Sequence, residues 1–193
     1  MSAAAEGGTF DDGKRVLYEG RYIRLVAKDA WEFAERINCS GVVFIVALTK
    51  DQKLVLCEQY RVPVGKHVIE IPAGLVNDTG APGNETFEDA ARRELLEETG
   101  YDSTHVVKMM EGPAAAGSSS AIIVFYRAYG LKKVASGGGD ETENIKVHEV
   151  ALSDIDVWLE SMTKAGKVID PKVFTVLYMI QSRVFGDPES RGA

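Results

Sequence analysis

Three glutamates near the middle of the chain have the spacing of a metal-binding cluster. Glu94, Glu97 and Glu98 fall within residues 87–99, where the sequence predicts an α-helix. Their i, i+3 and i+4 spacing puts the three side chains on one strip of the helix surface. Like charges at this spacing cost about 0.2–0.5 kcal/mol per pair, and the negative end of the helix repels them further. A hard divalent cation, Mg²⁺ or Mn²⁺, would offset this repulsion, because such ions prefer carboxylate oxygens.

Local signals mark both ends of this helix. Thr86 is a suitable N-cap, and Glu88 and Asp89 suit the positive N-terminal end. Gly100 can end the helix in the left-handed conformation. The preceding segment, residues 77–84, is dense in turn-forming residues and is predicted to be a surface loop.

The rest of the chain must position this helix, and its pattern predicts mainly strands. The N-terminal part has short alternating stretches, and two β-branched runs look like a hairpin that turns at Lys50, Asp51 and Gln52. Two more helices are predicted to close the chain, one capped by Ser153 and one by Asp170 with Pro171 in its first turn. The predicted strands lie in residues 14–37, 41–49, 53–61, 67–76, 104–112 and 121–130. This order predicts an α+β fold with a mixed sheet covered by helices.

The composition excludes several classes of protein. A chain of 193 residues suits one domain with at most a small appendage. The net charge of −7 argues against nucleic-acid binding, which usually depends on a basic face. No apolar run reaches the roughly 20 residues that span a bilayer, and the first residues lack the pattern of a secretory signal. We therefore expect a cytoplasmic protein with reduced cysteines, no membrane contact and a flexible tail at residues 1–13.

Residues 85–101 resemble the signature of the Nudix hydrolases, G-x5-E-x7-R-E-U-x-E-E-x-G-U, in which U is apolar. Glu85, seven further residues and then the run from Arg93 to Tyr101 match it without error. The signature differs at its start, because ten residues separate Gly74 from Glu85, five more than the signature has. We interpret the extra residues as an insertion in the loop at 77–84, which surface loops tolerate at small entropic cost.

Further segments resemble the branch of this family that cleaves ADP-ribose and other nucleoside diphosphate sugars. They are residues 29–33, 58–61, 70–74, 140–150 and 166–174. The resemblance implies an α/β/α sandwich at residues 40–186, preceded by a β-rich section at 14–39 that serves in homodimerisation, and a flexible tail at 187–193. It also implies Mg²⁺-dependent hydrolysis of a diphosphate to a nucleoside monophosphate and a sugar phosphate.

The resemblance also implies roles for residues of the cluster and of the loop after it. Glu94 and Glu98 would be the main metal ligands, with Glu97 beside them as ligand or supporting group. The metal set would be completed by the carbonyl of Ala73, and Arg93 would hold a carboxylate in position. Glu85 lies about half a helix circumference from Glu94 and is expected to have a structural or charge-balancing role. The general base would be Glu143 or Glu141, of which Glu143 is preferred.

Substrate contacts rest on weaker signals. Trp31 and Tyr22 align with aromatic residues that sandwich the nucleobase in related enzymes, although both could instead pack in the core or in a dimer. Arg61 would hold the diphosphate, and Glu70 would accept hydrogen bonds from a sugar hydroxyl. Glu32 and Arg36 are expected to touch the base or the partner subunit.

Two alternatives remain open at this point. One is a relative that acts on GDP-mannose or a dinucleoside polyphosphate. The other is a sensor that binds a nucleotide sugar without turnover. The glycines at 137–139 are also expected to make the loop that carries the base flexible.

Overall fold

The computed structural model describes residues 13–78, 85–139 and 143–182. Within these ranges the chain forms thirteen strands and three helices. The strands are β1 (Arg15–Glu19), β2 (Ile23–Lys28), β3 (Trp31–Arg36), β4 (Gly41–Ala47), β5 (Lys53–Arg61), β6 (Lys66–Glu70), β7 (Ala73–Val76), β8 (Tyr101–Asp102), β9 (His105–Pro113), β10 (Ile122–Tyr129), β11 (Lys132–Lys133), β12 (Lys146–Ala151) and β13 (Val168–Ile169). The helices are α1 (Phe87–Thr99), α2 (Ile155–Lys164) and α3 (Pro171–Gln181). The predicted α+β class is confirmed.

The N-terminal strands form a sheet of their own, in the order β1-β2-β3. Backbone hydrogen bonds fasten it to the rest of the fold: the N–H of Ala34 donates to the carbonyl of Ser118 at 2.9 Å, and the N–H of Ser120 donates to the carbonyl of Ala34 at 3.1 Å. The predicted β-rich N-terminal section is therefore present, and its third strand contacts the loop between β9 and β10.

Two mixed sheets of four strands make up the centre of the fold, in the orders β7-β4-β10-β9 and β12-β5-β6-β13. The predicted hairpin of β4 with β5 is wrong beyond its turn. The N–H of Thr49 donates to the carbonyl of Lys53 at 2.9 Å and Leu48 forms an isolated bridge with Leu54, but the two strands belong to different sheets. The predicted strand at 67–76 is in fact two strands in the two sheets, with Ile71 and Pro72 between them. Buried strands are apolar on both faces, so their sequence does not specify their partners.

Alternate residues of β4 point into two different hydrophobic cores. Val43 and Ile45 pack with the buried residues of α1, whereas Phe44 and Val46 pack with those of α2 and α3. The sheets are therefore covered by α1 on one side and by α2 and α3 on the other, as expected of a layered sandwich. Among the described residues, no helix is long and apolar enough to span a membrane.

The caps of the helices agree with the sequence at α1 and α3 but not at α2. The Asp170 carboxylate accepts a hydrogen bond from the N–H of Lys172 at 2.8 Å, with Pro171 in the first turn. The N-cap of α2 is Asp154, whose side chain makes no capping hydrogen bond. The Ser153 hydroxyl instead donates to the Asp154 carboxylate at 3.1 Å.

Candidate active site

Helix α1 begins after a closed pair of residues, Asn77 and Glu85, in which the N–H of each donates to the side chain of the other. Thr86 is its N-cap and accepts a hydrogen bond from the N–H of Asp89 at 3.1 Å. Before it, the N–H of Asn77 donates to the Glu85 carboxylate at 2.9 Å, and the N–H of Glu85 donates to the Asn77 side-chain oxygen at 2.9 Å. The two ends of the predicted insertion are therefore joined to each other, although residues 79–84 themselves lie outside the described ranges.

Arg93 is the hub of the charged groups on α1. Its Nε and Nη2 donate to Glu85, and its Nη1 donates to Glu94 at 2.8 Å and to Glu97 at 3.2 Å. Nη2 also donates to the carbonyl of Leu75 at 2.9 Å, which connects the helix to β7. The hydrogen bonds from Arg93 hold the pKa of Glu85 below its ordinary value. Glu85 is therefore bound to Arg93 at the start of α1, and Arg93 also contacts Glu94 and Glu97 of the glutamate cluster.

Glu94 and Glu98 are buried carboxylates, 9% and 4% exposed. Burial raises the pKa of Glu94 to about 7 and outweighs the opposing effect of Arg93. Burial likewise raises the pKa of Glu98 to about 8, although the N–H of Ala73 donates to this carboxylate at 3.0 Å. The positive groups of the protein near these two carboxylates therefore do not offset the effect of burial on their pKa values.

Two further residues complete this arrangement: Cys57, which sequence reasoning missed, and Gly74. The Cys57 thiol lies 3.7 Å from Glu98 Oε2 as a buried donor, and burial raises the pKa of this thiol. Gly74 faces Glu94 so closely that any Cβ at position 74 would overlap the carboxyl group. Gly74 was noted as part of the signature, but its steric reason is visible only when β7 is packed against α1.

The donor set fits a hard cation, since the groups that meet here carry oxygen ligands. Glu94, Glu97 and Ala73 line the same cleft, and Glu98 lies behind them with its carboxylate on the Ala73 amide. Within the ranges that the structure describes, no three His, Cys, Asp or Glu side chains already surround a common point. Some of these carboxylate oxygens instead accept hydrogen bonds from Arg93 and from the main-chain N–H of Ala73.

The cleft has a volume of about 910 Å³ and is lined by both positively and negatively charged side chains. Arg61 lies on its wall and donates from Nε to Glu70 at 2.7 Å. Burial raises the pKa of Glu70, against the opposing effect of Arg61. Glu143 also lines the cleft, and Gln59 Nε2 donates to its carboxylate at 3.5 Å. Gln59 is another residue that the sequence did not indicate, because it lies far from Glu143 along the chain.

The N-terminal candidates are divided between two places. Arg36 lines the large cleft. Trp31 lies instead in a separate cavity of about 320 Å³, between the β2–β3 turn and the loop that contains Ser119. In the β2–β3 ladder Ile23 pairs with Arg36 and Lys28 pairs with Trp31. This register puts Tyr22 roughly 20 Å from Trp31, at ~3.4 Å per residue.

Trp31 and Tyr22, the two aromatic candidates for the nucleobase, are therefore far apart within one protomer. Tyr22 and Trp31 are 63% and 61% exposed, and the structure does not bring them together. Glu32 lies on β3 opposite Ala27, and it does not line the large cleft. The other candidate base, Glu141, lies outside the described residues.

Comparison with known proteins agrees with this geometry. The family model of the NUDIX domain matches residues 40–171. The chain belongs to the Nudix family. It is therefore a Nudix hydrolase, of a family that acts on small nucleotide-derived molecules and generally uses divalent cations.

Three curated proteins are similar to this chain over most of their length. The chain is 28% identical to the ADP-ribose pyrophosphatase of Bacillus subtilis, over 87% of this chain and 90% of the relative. It is 30% identical to the GDP-mannose pyrophosphatase of Escherichia coli, over 74% of each chain. It is also 29% identical to the methanol dehydrogenase activator of Bacillus methanolicus, over 86% of this chain and 88% of the relative. A crystal structure of an ADP compounds hydrolase shares the Nudix fold, with a TM-score of 0.61, 20% identity and coverage of 83% and 86% of the two chains.

Proposed function

We propose that this protein hydrolyses the diphosphate bond of ADP-ribose or a related nucleoside diphosphate sugar, with Mg²⁺ or Mn²⁺ as cofactor. The products are a nucleoside monophosphate and a sugar phosphate. The observation that carries the proposal is the burial of Glu94 and Glu98 beside a cleft that also contains Arg61, Glu70 and Glu143. A related pyrophosphatase for ADP-ribose and one for GDP-mannose support the class of substrate.

The cation would be held by Glu94 and Glu98, with the carbonyl of Ala73 and the exposed Glu97 as additional oxygen donors. When bound, it would neutralise charge on the phosphoryl oxygens of the substrate. Arg93 keeps Glu94 and Glu97 in position through charge-assisted hydrogen bonds. The raised pKa values of Glu94 and Glu98 support this assignment, because two buried carboxylates need a compensating positive charge.

Glu143 acts as the general base in this proposal. It takes a proton from a water molecule whose oxygen forms a bond to one phosphorus, while the bond from that phosphorus to the bridging oxygen breaks. The bridging oxygen leaves with the other phosphate. The guanidinium of Arg61 stabilises the diphosphate, and Glu70 accepts hydrogen bonds from a sugar hydroxyl. Glu141 remains the alternative base, and isosteric variants of the two glutamates distinguish them.

The nucleobase contacts are proposed to involve two copies of the chain. Trp31 and Tyr22 lie on an exposed N-terminal sheet, and Trp31 is away from the large cleft. In a homodimer through this sheet, Trp31, Tyr22 and Glu32 of one protomer would border the cleft of its partner, beside Arg36. The domain division at residues 14–39 and 40–186 follows from the same proposal.

Product analysis in ¹⁸O-labelled water tests the reaction. The protein is incubated with Mg²⁺ and ADP-ribose, GDP-mannose, UDP-glucose or a dinucleoside polyphosphate, and the products are identified by mass spectrometry. We expect AMP and ribose phosphate from ADP-ribose, with the label on one of them. Glu98→Gln should lower the rate at least about 100-fold, consistent with the loss of a group that is central to charge neutralisation.

A second candidate is favoured by the GDP-mannose relative, namely preference for that sugar nucleotide. A kcat/KM for GDP-mannose well above that for ADP-ribose would establish it. A non-catalytic sensor is the third reading. It would be established if the wild type bound ADP-ribose in calorimetry and released no AMP.

A further inference from the structure

Three consecutive glycines, Gly137 to Gly139, lie against the C-terminal end of α1. The N–H of Gly138 donates to the carbonyl of Glu98 at 2.9 Å, and the N–H of Gly139 donates to the carbonyl of Glu97 at 3.1 Å. The φ angles of the three glycines are 72°, 124° and 83°. Their conformational freedom is used here for a backbone with positive φ angles, which L side chains rarely adopt.

The hydrogen bonds meet a specific need of this helix. The last carbonyls of a helix have no partner within it, and the last turn of α1 has no basic residue to offset its negative end. It carries Glu97 and Glu98 instead. The same docking continues at Gly100, whose carbonyl accepts the N–H groups of Val134 at 2.9 Å and Ala135 at 3.1 Å.

The approach is too close for any other residue at two of the positions. A Cβ at Gly137 would lie 2.6 Å from the carbonyl oxygen of Glu98 and would overlap the main chain of Thr99. A Cβ at Gly139 would lie 2.6 Å from the Cβ of Glu143 and would overlap its carboxylate. The missing side chain of Gly139 therefore leaves the space that Glu143 occupies.

Glu143 is held from the other side as well. The chain returns to the glycines at Ile145, whose N–H donates to the carbonyl of Gly138 at 3.0 Å and whose side chain is buried. Gln59 on β5 donates to the Glu143 carboxylate. The N–H of Gly138 therefore donates to α1, while its carbonyl accepts from Ile145, just after Glu143. Gly138 thus connects the last turn of α1 to the segment that carries Glu143.

We propose that Gly137–Gly139 is a positioning element that sets the general base Glu143 at a fixed height relative to Glu94 and Glu98. The segment couples the loop to the last turn of α1 through main-chain hydrogen bonds. The metal-binding and proton-accepting parts of the site are thereby carried by the same helical turn. This inference rests on the proposed function, in which Glu143 is the base.

A purely structural role is the competing explanation, since the same hydrogen bonds would also stabilise the helix end. The two roles differ in how they combine with the loss of Glu143. If the glycines act through Glu143, their substitution matters little once Glu143 is replaced by glutamine. If they only stabilise the fold, the effects on rate add in both backgrounds.

The test is a double-mutant cycle with a matched control. Gly139→Ala is made in the wild type and in Glu143→Gln. The control is Gly166→Ala, because Gly166 has a φ of 81° and a Cβ there meets nothing within 4 Å. For each protein the kcat and KM for ADP-ribose, the midpoint of thermal unfolding and the Mn²⁺ affinity without substrate are measured.

We expect Gly139→Ala to lower kcat about 10-fold or more in the wild type, within the range of general-base contributions. KM and Mn²⁺ affinity should stay within about threefold, and Gly166→Ala, which imposes the strain of a positive φ without any overlap, should lower the unfolding midpoint without the loss of kcat. In the Glu143→Gln background the further loss should be below about twofold. An equal loss in both backgrounds, or no loss in either, would overturn the proposal.

Two further measurements separate the possible failures. If Gly139→Ala does not fold, Gly138→Ala replaces it, because a Cβ at Gly138 meets only the Ile145 carbonyl, at 3.9 Å. Amide hydrogen exchange of Gly138 and Gly139 in the wild type should be slow, and fast exchange would contradict the docking directly. Full activity of Glu143→Gln would overturn the base assignment together with this inference, whereas loss in Glu143→Gln and full activity in Gly139→Ala would overturn the inference alone.

Discussion

Arg93 holds Glu85 with two nitrogens at once: Nε lies 2.8 Å from Oε1, and Nη2 lies 3.2 Å from Oε2. The same guanidinium reaches Glu94 and the carbonyl of Leu75. One side chain therefore joins the start of α1, the buried carboxylates and strand β7. A planar group with five donors can make this set of contacts, whereas an ammonium group cannot reproduce it.

Replacing Arg93 by lysine should consequently destabilise the fold although the charge is kept. We expect the free energy of unfolding to fall by about 2 kcal/mol, since several charge-assisted hydrogen bonds at a half-buried site are lost. Urea unfolding measures this change. The matched control is Arg92→Lys, because Arg92 is an exposed neighbour whose carboxylate partner, Asp102, is 3.6 Å away. Equal effects of the two substitutions would contradict the role of the hub.

The pKa values of Glu94 and Glu98 predict how stability depends on pH without a divalent ion. Both values are raised above 4.5, to about 7 and about 8, so the folded state binds more protons than the unfolded state in this window. The stabilisation is fully present below pH 4.5 and is lost as pH rises through the folded values. We expect a loss on the order of 5 kcal/mol between about pH 5.5 and about pH 8.5 from the two groups together, at ~1.4 kcal/mol per unit of pKa shift.

Calorimetry in chelator and in Mg²⁺ checks this dependence. Added Mg²⁺ should stabilise the protein more at the higher pH, because the carboxylates must lose their protons to bind it. Glu98→Gln should flatten the pH dependence in chelator and reduce the effect of Mg²⁺. A midpoint that rises with pH in chelator would show that the two carboxylates are already ionised in the metal-free fold.

We predict that the side chain of Asn77 stabilises the segment that leads into α1. Asn77 adopts a φ of 60°, so Asn77→Gly keeps the backbone favourable while it removes the acceptor for the N–H of Glu85 and the donor to Ser40. We expect a loss of about 1–2 kcal/mol in unfolding free energy. Asn38→Gly is the control, with a φ of 61°, and it should change stability much less. If both variants unfold alike, the side-chain contacts of Asn77 contribute nothing.

Trp31 is predicted to act on substrate binding and not on chemistry. Trp31→Ala should raise KM for ADP-ribose about 10-fold, which corresponds to the ~1.4 kcal/mol of one aromatic stacking contact. The value of kcat and the stabilisation by Mg²⁺ should stay the same. Tyr178→Ala, at a comparably exposed aromatic residue on α3, serves as the control. An unchanged KM would remove Trp31 from the proposed nucleobase contacts.

The sequence predicts the elements that are specified by neighbours along the chain. Helix α1 is predicted correctly because its end signals, Thr86 and Gly100, lie next to it in the chain. The α3 cap at Asp170 is predicted for the same reason. The separation of β4 and β5 into two sheets is not predicted, because both strands are buried on two faces and their pairing with β10 and β12 joins segments that are distant in the chain.

The same distinction applies to the site. The signature indicates Glu94, Glu97 and Glu98 together because they share one helix. Gln59 and Cys57 contact Glu143 and Glu98 across 84 and 41 residues of sequence, so nothing local points to them. The separation of Tyr22 from Trp31 likewise depends on the register of the β2–β3 ladder, which the sequence alone does not provide.

The closed pair of Asn77 and Glu85 makes residues 78–84 a natural graft point. Both ends of the segment are fixed before any residue between them is considered, so extra length there costs mainly the entropy of closing a longer loop, about 0.6 kcal/mol for each doubling. A short epitope or a fluorophore-bearing peptide could be inserted there without moving the start of α1. Because Asp78 borders the large cleft, such a label would report occupancy of the site from its rim.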